Sequence, residues 1–346
     1  MPVTARDVAR VAGVSVSTVS RSLAKPDSVS QRTRDKVLET ARGMGYRPNL
    51  AARGLNTGRT GNIALIVPDL ENPSFSSVAK GVQSKARAAG YAVIIADSEE
   101  DSSQEAELVR SLATRVDGVL LCSPRSPDSV ITQLAQECTV VLMNRRCGDI
   151  PTVTIDNLDG VRQAVMHLRA LGHRTIAYVG GPSTSWSNRQ RIDALQAVAA
   201  EHPELEVIDL GSFQPYISGG IAASDLVIAS GATAVLAYNA LVAFGILKRL
   251  RQRGVRVPED ISVVGVDNIP MSILTTPALT SVGIPLVNYG RAGVDMLLSL
   301  VRDPSTPPVH HRDLSFRLVV HESTGPQPGR PSTICLKSDL LAPPGR

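Results

Sequence analysis

The stretch Val3-Thr4-Ala5-Arg6-Asp7-Val8-Ala9-Arg10-Val11-Ala12-Gly13-Val14-Ser15-Val16-Ser17-Thr18-Val19-Ser20-Arg21 reads as two short helices joined at a glycine. Thr4 is placed to cap the first helix, and Asp7 follows three residues later, in capping-box position. Val8, Val11 and Ala12 recur at helical spacing and predict one apolar stripe. Gly13 suits the left-handed conformation that ends a helix and turns the chain. Ser15 is a good N-cap for the second helix, whose inner side would be Val19 and Leu23. Its other face carries Ser17, Thr18, Ser20 and Arg21, short or polar residues that suit a surface pressed into a major groove.

Working outward, Ser30 predicts the cap of a third helix over residues 31–44, with Val37, Leu38, Ala41 and Met44 inside. Pro48 disfavours helix at Arg47 and breaks the pattern. The segment Asn49-Leu50-Ala51-Ala52-Arg53-Gly54-Leu55 is alanine-rich enough for a helix but too short to be stable alone. Residues 1–60 hold eleven Lys/Arg against four Asp/Glu, a balance of +7, whereas the remaining chain holds 25 against 28. Positive charge gathered on one small domain points to nucleic acid. A three-helix structural or protein-binding domain is the competing reading; the charge asymmetry weighs against it.

The words "DVARVAGVSVSTVSRSL", "VSQRTRDKV" and "GYRPNLAARGL", in that order, resemble the headpiece of the lac repressor (LacI/GalR) family of bacterial transcription regulators. The resemblance implies that Val16, Ser17 and Arg21 face base edges, with Arg21 the side chain able to grip a guanine bidentately. Thr4, Ser15, Thr18, Ser30, Thr33, Tyr46 and Asn49 would mostly bond phosphates and set register, with Ser20 on the same DNA-facing side. Ala52 and Leu55 would belong to a hinge segment that enters the minor groove, where Leu55 wedges between base pairs.

Across all 346 residues, 43% are hydrophobic and only 3% aromatic, so a sizeable core must be built from Val, Leu, Ile and Ala. No run of eighteen apolar residues and no signal-peptide core is present, which predicts a cytoplasmic protein and no membrane partner. Cys122, Cys138, Cys147 and Cys335 show neither a C-x-x-C pair nor metal spacing; Cys122 and Cys138 are expected as core residues. His167 and His173 flank a helix-ending glycine, where a dipole or capping role is expected. No phosphate-binding loop, nucleophile elbow or metal ligand set occurs, so no catalytic residue, metal or cofactor is expected.

After a polar linker at 56–61 the period changes. Asn62–Val67 is a short apolar run, read as a buried parallel strand. Helix and strand then alternate, with strands at Ala92–Ala96, Val140–Met143, Thr175–Val179, Val207–Leu210, Ala234–Ala237 and Ile261–Val266. The pattern predicts two α/β lobes, each a parallel sheet wrapped by helices.

The body words "IALIVPDLENPSF", "GYAVIIADS", "VDGVLL", "TIDNLDG", "LGHRTIAYVGG", "RVPEDISVVGVD" and "PALTSV" resemble the same family. The resemblance implies a small all-α helix-turn-helix headpiece (1–48), a hinge helix and linker (49–60) and a two-lobed periplasmic-binding-protein-like effector domain (61–325). Lobe 1 is expected at about 61–156 and 285–308, lobe 2 at about 157–284 and 309–325, and a disordered tail at 326–346. A small effector would sit between the lobes. Arg191 matches an arginine that bonds effector hydroxyls or carboxylates, its alternative being a surface salt bridge. Asp267 follows an apolar strand, where α/β sheets bind ligands, its alternative being a helix cap. Asn239 and Asn144 are placed likewise, and Phe75 and Phe213 would offer apolar surface, although a core role for Phe75 is nearly as good. Ala240 and Ile284 stand where the family commonly has Asp and Gln, which implies a less hydroxylated effector or a different pose. The resulting expectation is a homodimeric DNA-binding regulator, a repressor, on a double-stranded operator under effector control. A solute-binding protein of a sugar transport system is the alternative, against which the basic headpiece stands.

Overall fold

The computed structural model describes residues 3–24, 28–46, 59–302 and 311–329. It divides into two compact units, Met1–Gly61 and Asn62–Arg346.

The first unit holds α1 (Ala5–Ala12), α2 (Val16–Ala24) and α3 (Gln31–Gly43). Thr4 and Asp7 form the reciprocal capping box, and Gly13 ends α1 in the left-handed region at φ 61°. Ser15 Oγ accepts from the Thr18 amide at 3.1 Å and so caps α2, while Ser30 caps α3 through the Thr33 amide. The core is Val8, Ala9, Ala12, Val19, Val37 and Ala41. Val11 is 59% exposed, so the buried stripe of α1 is not the one expected. It runs through positions 8, 9 and 12, and Val11 lies at its edge, turned outward. The hinge residues Asn49, Ala52 and Leu55 lie outside the described residues.

In the second unit β1 (Asn62–Val67), α4 (Pro73–Ala88), β2 (Ala92–Asp97), α5 (Ser102–Ala113), β3 (Val119–Cys122), α6 (Asp128–Glu137), β4 (Val140–Met143) and β5 (Thr152–Ile155) build the first lobe. The second lobe follows with α7 (Asn157–Ala170), β6 (Thr175–Gly180), α8 (Trp186–Glu201), β7 (Glu206–Ser212), α9 (Ile217–Ala229), β8 (Ala234–Ala237), α10 (Ala240–Gln252), β9 (Ser262–Val266) and β10 (Thr280–Gly283). Then α11 (Leu286–Arg302) and β11 (His311–Leu314) return to the first lobe, and β12 (Arg317–Val319) closes the second. The sheets have matching orders, β2-β1-β3-β4-β5-β11 and β7-β6-β8-β9-β10-β12. All pairings are parallel except β10 with β12. The central strands β3, β4, β8 and β9 are buried along their whole length, which is why they read as unbroken apolar runs. Strand order reverses between β1 and β3, and again between β6 and β8. A parallel sheet opens a crevice at the carboxyl ends beside such a reversal.

The chain crosses between lobes after β5, after β10 and between β11 and β12. The third crossing lies in the final strands, as expected, but the second lobe resumes later than about 309. Residues 311–314 pair with β5 and belong to the first lobe, so the change of lobe falls at Ser315-Phe316 rather than near 309. The expected tail is also ordered in its first part. Gly325 donates its N–H to Ser262 Oγ at 3.0 Å, and the Gln327 amide donates to the Leu171 carbonyl at 3.0 Å.

His167 stands in the last turn of α7, as expected of a helix-end group, whereas His173 lies beyond the helix and serves a different contact. His173 is fully buried, with Nδ1 2.9 Å from Thr233 Oγ1 and Nε2 3.0 Å from both Ser262 Oγ and the Gly325 carbonyl. His167 Nε2 lies 2.9 Å from Thr324 Oγ1. The two rings clasp the C-terminal strap, a long-range contact that local spacing does not reveal. Cys122 and Cys147 are buried and Cys138 is half-buried, all as free thiols; Cys335 lies outside the described residues.

Candidate functional site

In the headpiece, α2 presents Val16, Ser17, Ser20 and Arg21 to solvent, opposite the buried Val19. Ser15 Oγ lies 2.7 Å from Ser17 Oγ and 2.8 Å from Thr18 Oγ1, so the three hydroxyls form one cluster at the start of this helix. A helix N-terminus with its amides and hydroxyls exposed is an anion-binding surface. Arg21 Nε donates to the Ser17 carbonyl at 3.3 Å, a weak tether on an exposed guanidinium. Thr4 and Ser30 are exposed at the starts of α1 and α3, and Thr33 is half-buried. Tyr46 packs partly on the headpiece core, so its ring has a structural role as well.

In the second unit a narrow cleft lies between the lobes. Its walls come from the carboxyl ends of strands and the first turns of the helices that follow. The structure brings five of the six expected effector residues to it: Phe75 and Asn144 from the first lobe, Arg191, Asn239 and Asp267 from the second. Phe213 is not among them. It follows β7, the edge strand of its sheet, and lines a wider opening beside Glu100, Pro182 and Gln214. The strand it follows is one place removed from the reversal in strand order, and the opening it lines adjoins the cleft at Glu100.

Arg191 is buried, and its guanidinium is held in place by the protein. Nε donates to Asn157 Oδ1 at 3.1 Å and Nη1 to the Tyr238 carbonyl at 2.5 Å, with the group 5.2 Å over the Tyr238 ring. Its surface salt-bridge alternative is thereby excluded. Asp267 sits at φ 88° and accepts from Ser74 Oγ across the cleft at 3.2 Å. Burial pushes its carboxyl above the usual range, opposed by the Arg191 charge and the Ser74 bond. Asn239 lines the cleft, but its amide also caps α10 through the Val242 amide at 2.8 Å and donates to the Pro215 carbonyl at 2.9 Å. Asn144 Nδ2 donates to Ser123 Oγ at 3.0 Å, while its Oδ1 is buried without a hydrogen-bond partner.

Ser123, Asn144 and Asp267 are all non-glycine residues at positive φ, each directly after a sheet strand. Backbone held in that region costs energy and gathers where side chains must be aimed. Three further features line or support the cleft, of which the sequence singles out only Ile284. Arg125, in the loop after β3, is buried and paired bidentately with Glu100 at 2.5 and 2.9 Å. Tyr238 supplies both ring and carbonyl to Arg191. Ile284 and Leu286 bring an apolar floor. Placement after a buried strand, the signal that singled out Asn144 and Asp267, applies equally to Arg125. Among the described residues no His, Cys, Asp or Glu cluster is arranged to hold a metal, and no described helix is long and apolar enough to cross a membrane.

Residues 4–49 match the model of the bacterial regulatory proteins of the lacI family, and residues 165–324 match a periplasmic binding protein-like domain. The HTH-type transcriptional repressor CytR of Escherichia coli (strain K12) is 34% identical over 303 residues, which are 85% of this chain and 89% of that one. This chain belongs to the lacI family. Among solved structures, a lac repressor dimer bound to operator and the anti-inducer ONPF superposes with TM-score 0.82 at 28% identity, covering 94% of this chain and all of the other. A lacI-family regulator from Enterococcus faecium with bound ribose gives TM-score 0.67 at 30% identity, over 77% and 99% of the two chains. The lacI-family architecture thus extends over both units, the helical headpiece and the two-sheet α/β body.

Proposed function

We propose that the protein is a transcriptional repressor that binds a double-stranded operator as a homodimer and changes its operator affinity when a small neutral, hydroxylated molecule occupies the interlobe cleft. The observation that carries this reading is the pairing, in one chain, of a basic three-helix headpiece with a cleft whose opposite walls belong to two topologically matched lobes. The headpiece offers Arg21 and the hydroxyl cluster of Ser15, Ser17 and Thr18 to DNA, the first for base edges and the second for phosphates. Paired headpieces would read two half-sites about one helical turn, or a multiple of it, apart.

The charge of the cleft favours a neutral effector. Arg125 is already matched by Glu100, and Arg191 faces Asp267, so neither an anion nor a cation finds an uncompensated partner. Arg191, Asp267 and Asn144 can exchange hydrogen bonds with hydroxyls, and Phe75, Ile284 and Leu286 can cover an apolar face. A ligand touching both walls favours one lobe arrangement, which is the condition for it to alter a distant equilibrium. The relatives support the same reading: CytR is a transcriptional repressor, and the Enterococcus faecium regulator holds ribose. The test is a titration of the full-length protein against DNA from upstream of its own gene, repeated with ribose, cellobiose and a wider sugar panel. Specific retention of that DNA, altered by at least one sugar, is expected; binding no tighter than to random DNA overturns the reading.

A further inference from the structure

One amide joins the cleft to the chain crossings. Asn157 is the first residue of α7, directly after the first crossing, and is buried. Its Oδ1 accepts from Arg191 Nε at 3.1 Å, and its Nδ2 donates to the Ile155 carbonyl at 3.1 Å. Ile155 ends β5 in the first lobe and lines the cleft; Arg191 stands in the second lobe and lines it too. Asn157 is not needed as a helix cap, because Asp156 Oδ1 already accepts from the Asp159 amide at 3.0 Å. Its two amide ends therefore serve the arginine and the crossing alone.

The same face of α7 holds the third crossing. Residues 157, 160 and 163 follow at intervals of three and share one side of the helix. At Gly160 a Cβ would come within 2.5 Å of the Phe316 ring, so glycine is what lets this crossing lie against the helix. Gln163 Nε2 donates to the Phe316 carbonyl at 3.2 Å, and its Oε1 accepts from the Leu318 amide at 2.9 Å. The Asp156 amide donates to the Leu314 carbonyl at 3.0 Å, which ties the first crossing to the third.

We propose that Asn157 is a positioning residue that makes the orientation of Arg191 and the setting of the interlobe crossings a single mechanical unit. A buried amide with both ends engaged has no cheap alternative partner, since an orphaned group bears its full desolvation cost. A cleft occupant that draws on the Arg191 guanidinium therefore moves the Asn157 amide, and with it the peptide that joins the lobes. The role of this link in regulation rests on the proposed effector site, but the link itself is present without a ligand and is tested without one.

The experiment is hydrogen exchange of the ligand-free full-length protein, followed in peptides spanning 153–160 and 312–320, with a peptide over 119–137 as reference. Arg191→Lys removes the Nε donor and keeps the charge; Asn157→Ala removes both ends of the amide. Each should speed exchange at the crossings about ten-fold, the scale of one lost buried hydrogen bond, and leave the reference unchanged. The double variant should exchange no faster than the faster single one. If Asn157→Ala loses protection in the reference as well, Asn157→Asp takes its place. It keeps the acceptor facing Arg191 and loses the donor to Ile155, so adding Arg191→Lys should again change nothing further at the crossings. Wild-type exchange in Arg191→Lys, or effects that multiply in the double variant, overturns the proposal. Failure of the effector reading would appear separately, as operator binding that no sugar alters, and would leave these rates as they are.

Discussion

Ser74 Oγ donates a hydrogen bond to Asp267 Oδ2 at 3.2 Å, from the first turn of α4 in one lobe to the end of β9 in the other. A direct bond across the interlobe cleft means that Asp267 latches the lobes, besides facing the occupant in the proposed function. The carboxylate bears a cost in this role, because burial raises its pKa and the nearby Arg191 charge only opposes that rise.

Asp267→Asn should therefore make the second unit more stable at neutral pH and weaken its effector. The sign follows from the raised folded pKa: the ionised form is the disfavoured one in the folded chain, so at pH 7 the wild-type carboxylate subtracts from stability. Asparagine keeps an acceptor for Ser74 and tolerates the positive φ. Urea denaturation at pH 7, beside a sugar titration of operator binding, measures both halves. A variant less stable than wild type would show that the attraction of the Arg191 charge and the Ser74 bond together outweigh burial.

Glu100→Gln should destabilise the first lobe by about 3–5 kcal/mol, the usual effect of removing one partner of a buried pair. Arg125 is only 3% exposed and Glu100 14%, so the guanidinium left behind has little water to turn to. The denaturant midpoint measures the effect. A change below about 1 kcal/mol, the range of surface pairs, would mean that water or Glu105 compensates the cation.

Arg21→Ala should lower specific operator affinity by about 1–3 kcal/mol and reduce discrimination at one base pair of each half-site. Arg21 is the one long cation on α2, and among the described residues its guanidinium is tethered by the 3.3 Å bond to the Ser17 carbonyl. Competition with random DNA at fixed salt distinguishes base reading from phosphate contact. Equal loss on every sequence would make Arg21 a phosphate ligand.

The elements that were legible in the sequence are those fixed by local physics. Thr4, Asp7 and Gly13 announce α1 because capping and left-handed turns depend on neighbours only. Runs such as Val140–Met143 announce buried strands because both faces are covered. Asn144 and Asp267 were legible as residues that follow such runs. What stayed hidden depends on residues far apart in the chain. The partnership of Arg191 with Asn157 spans 34 positions and that of Ser74 with Asp267 spans 193. Phe213 lines the wider opening that shares Glu100 with the cleft; where the end of β7 falls is set by strand order, which no local pattern carries. Val11 shows the limit within a single helix, since a stripe of i, i+1 and i+4 fits the same residues as one of i, i+3 and i+4.

The C-terminal clasp gives the last prediction. Burial holds the His173 pKa below the usual 6.5; the bond to the Gly325 carbonyl opposes this, and the neighbouring His167 and Arg174 charges add to it. The Gly325 carbonyl can only accept, so Nε2 carries the proton and Nδ1 accepts from the Thr233 hydroxyl in the neutral ring. A folded pKa below the unfolded one means that the unfolded chain binds the extra proton first as pH falls. The stabilising contribution of the neutral ring is then fully present above about pH 6.5 and is lost as pH drops below it. Burial lowers the His167 pKa as well, so its effect has the same sign. His173→Gln, which keeps a donor for Gly325 and cannot titrate, should be less stable than wild type at pH 7.5 and lose less on acidification to pH 5.5. Urea midpoints of both proteins across that range are the measurement. Parallel pH profiles would show that His173 takes up its proton as readily in the folded chain as in the unfolded one, and that the strap is held by packing and by the Ser262 and Leu171 bonds rather than by the neutral ring.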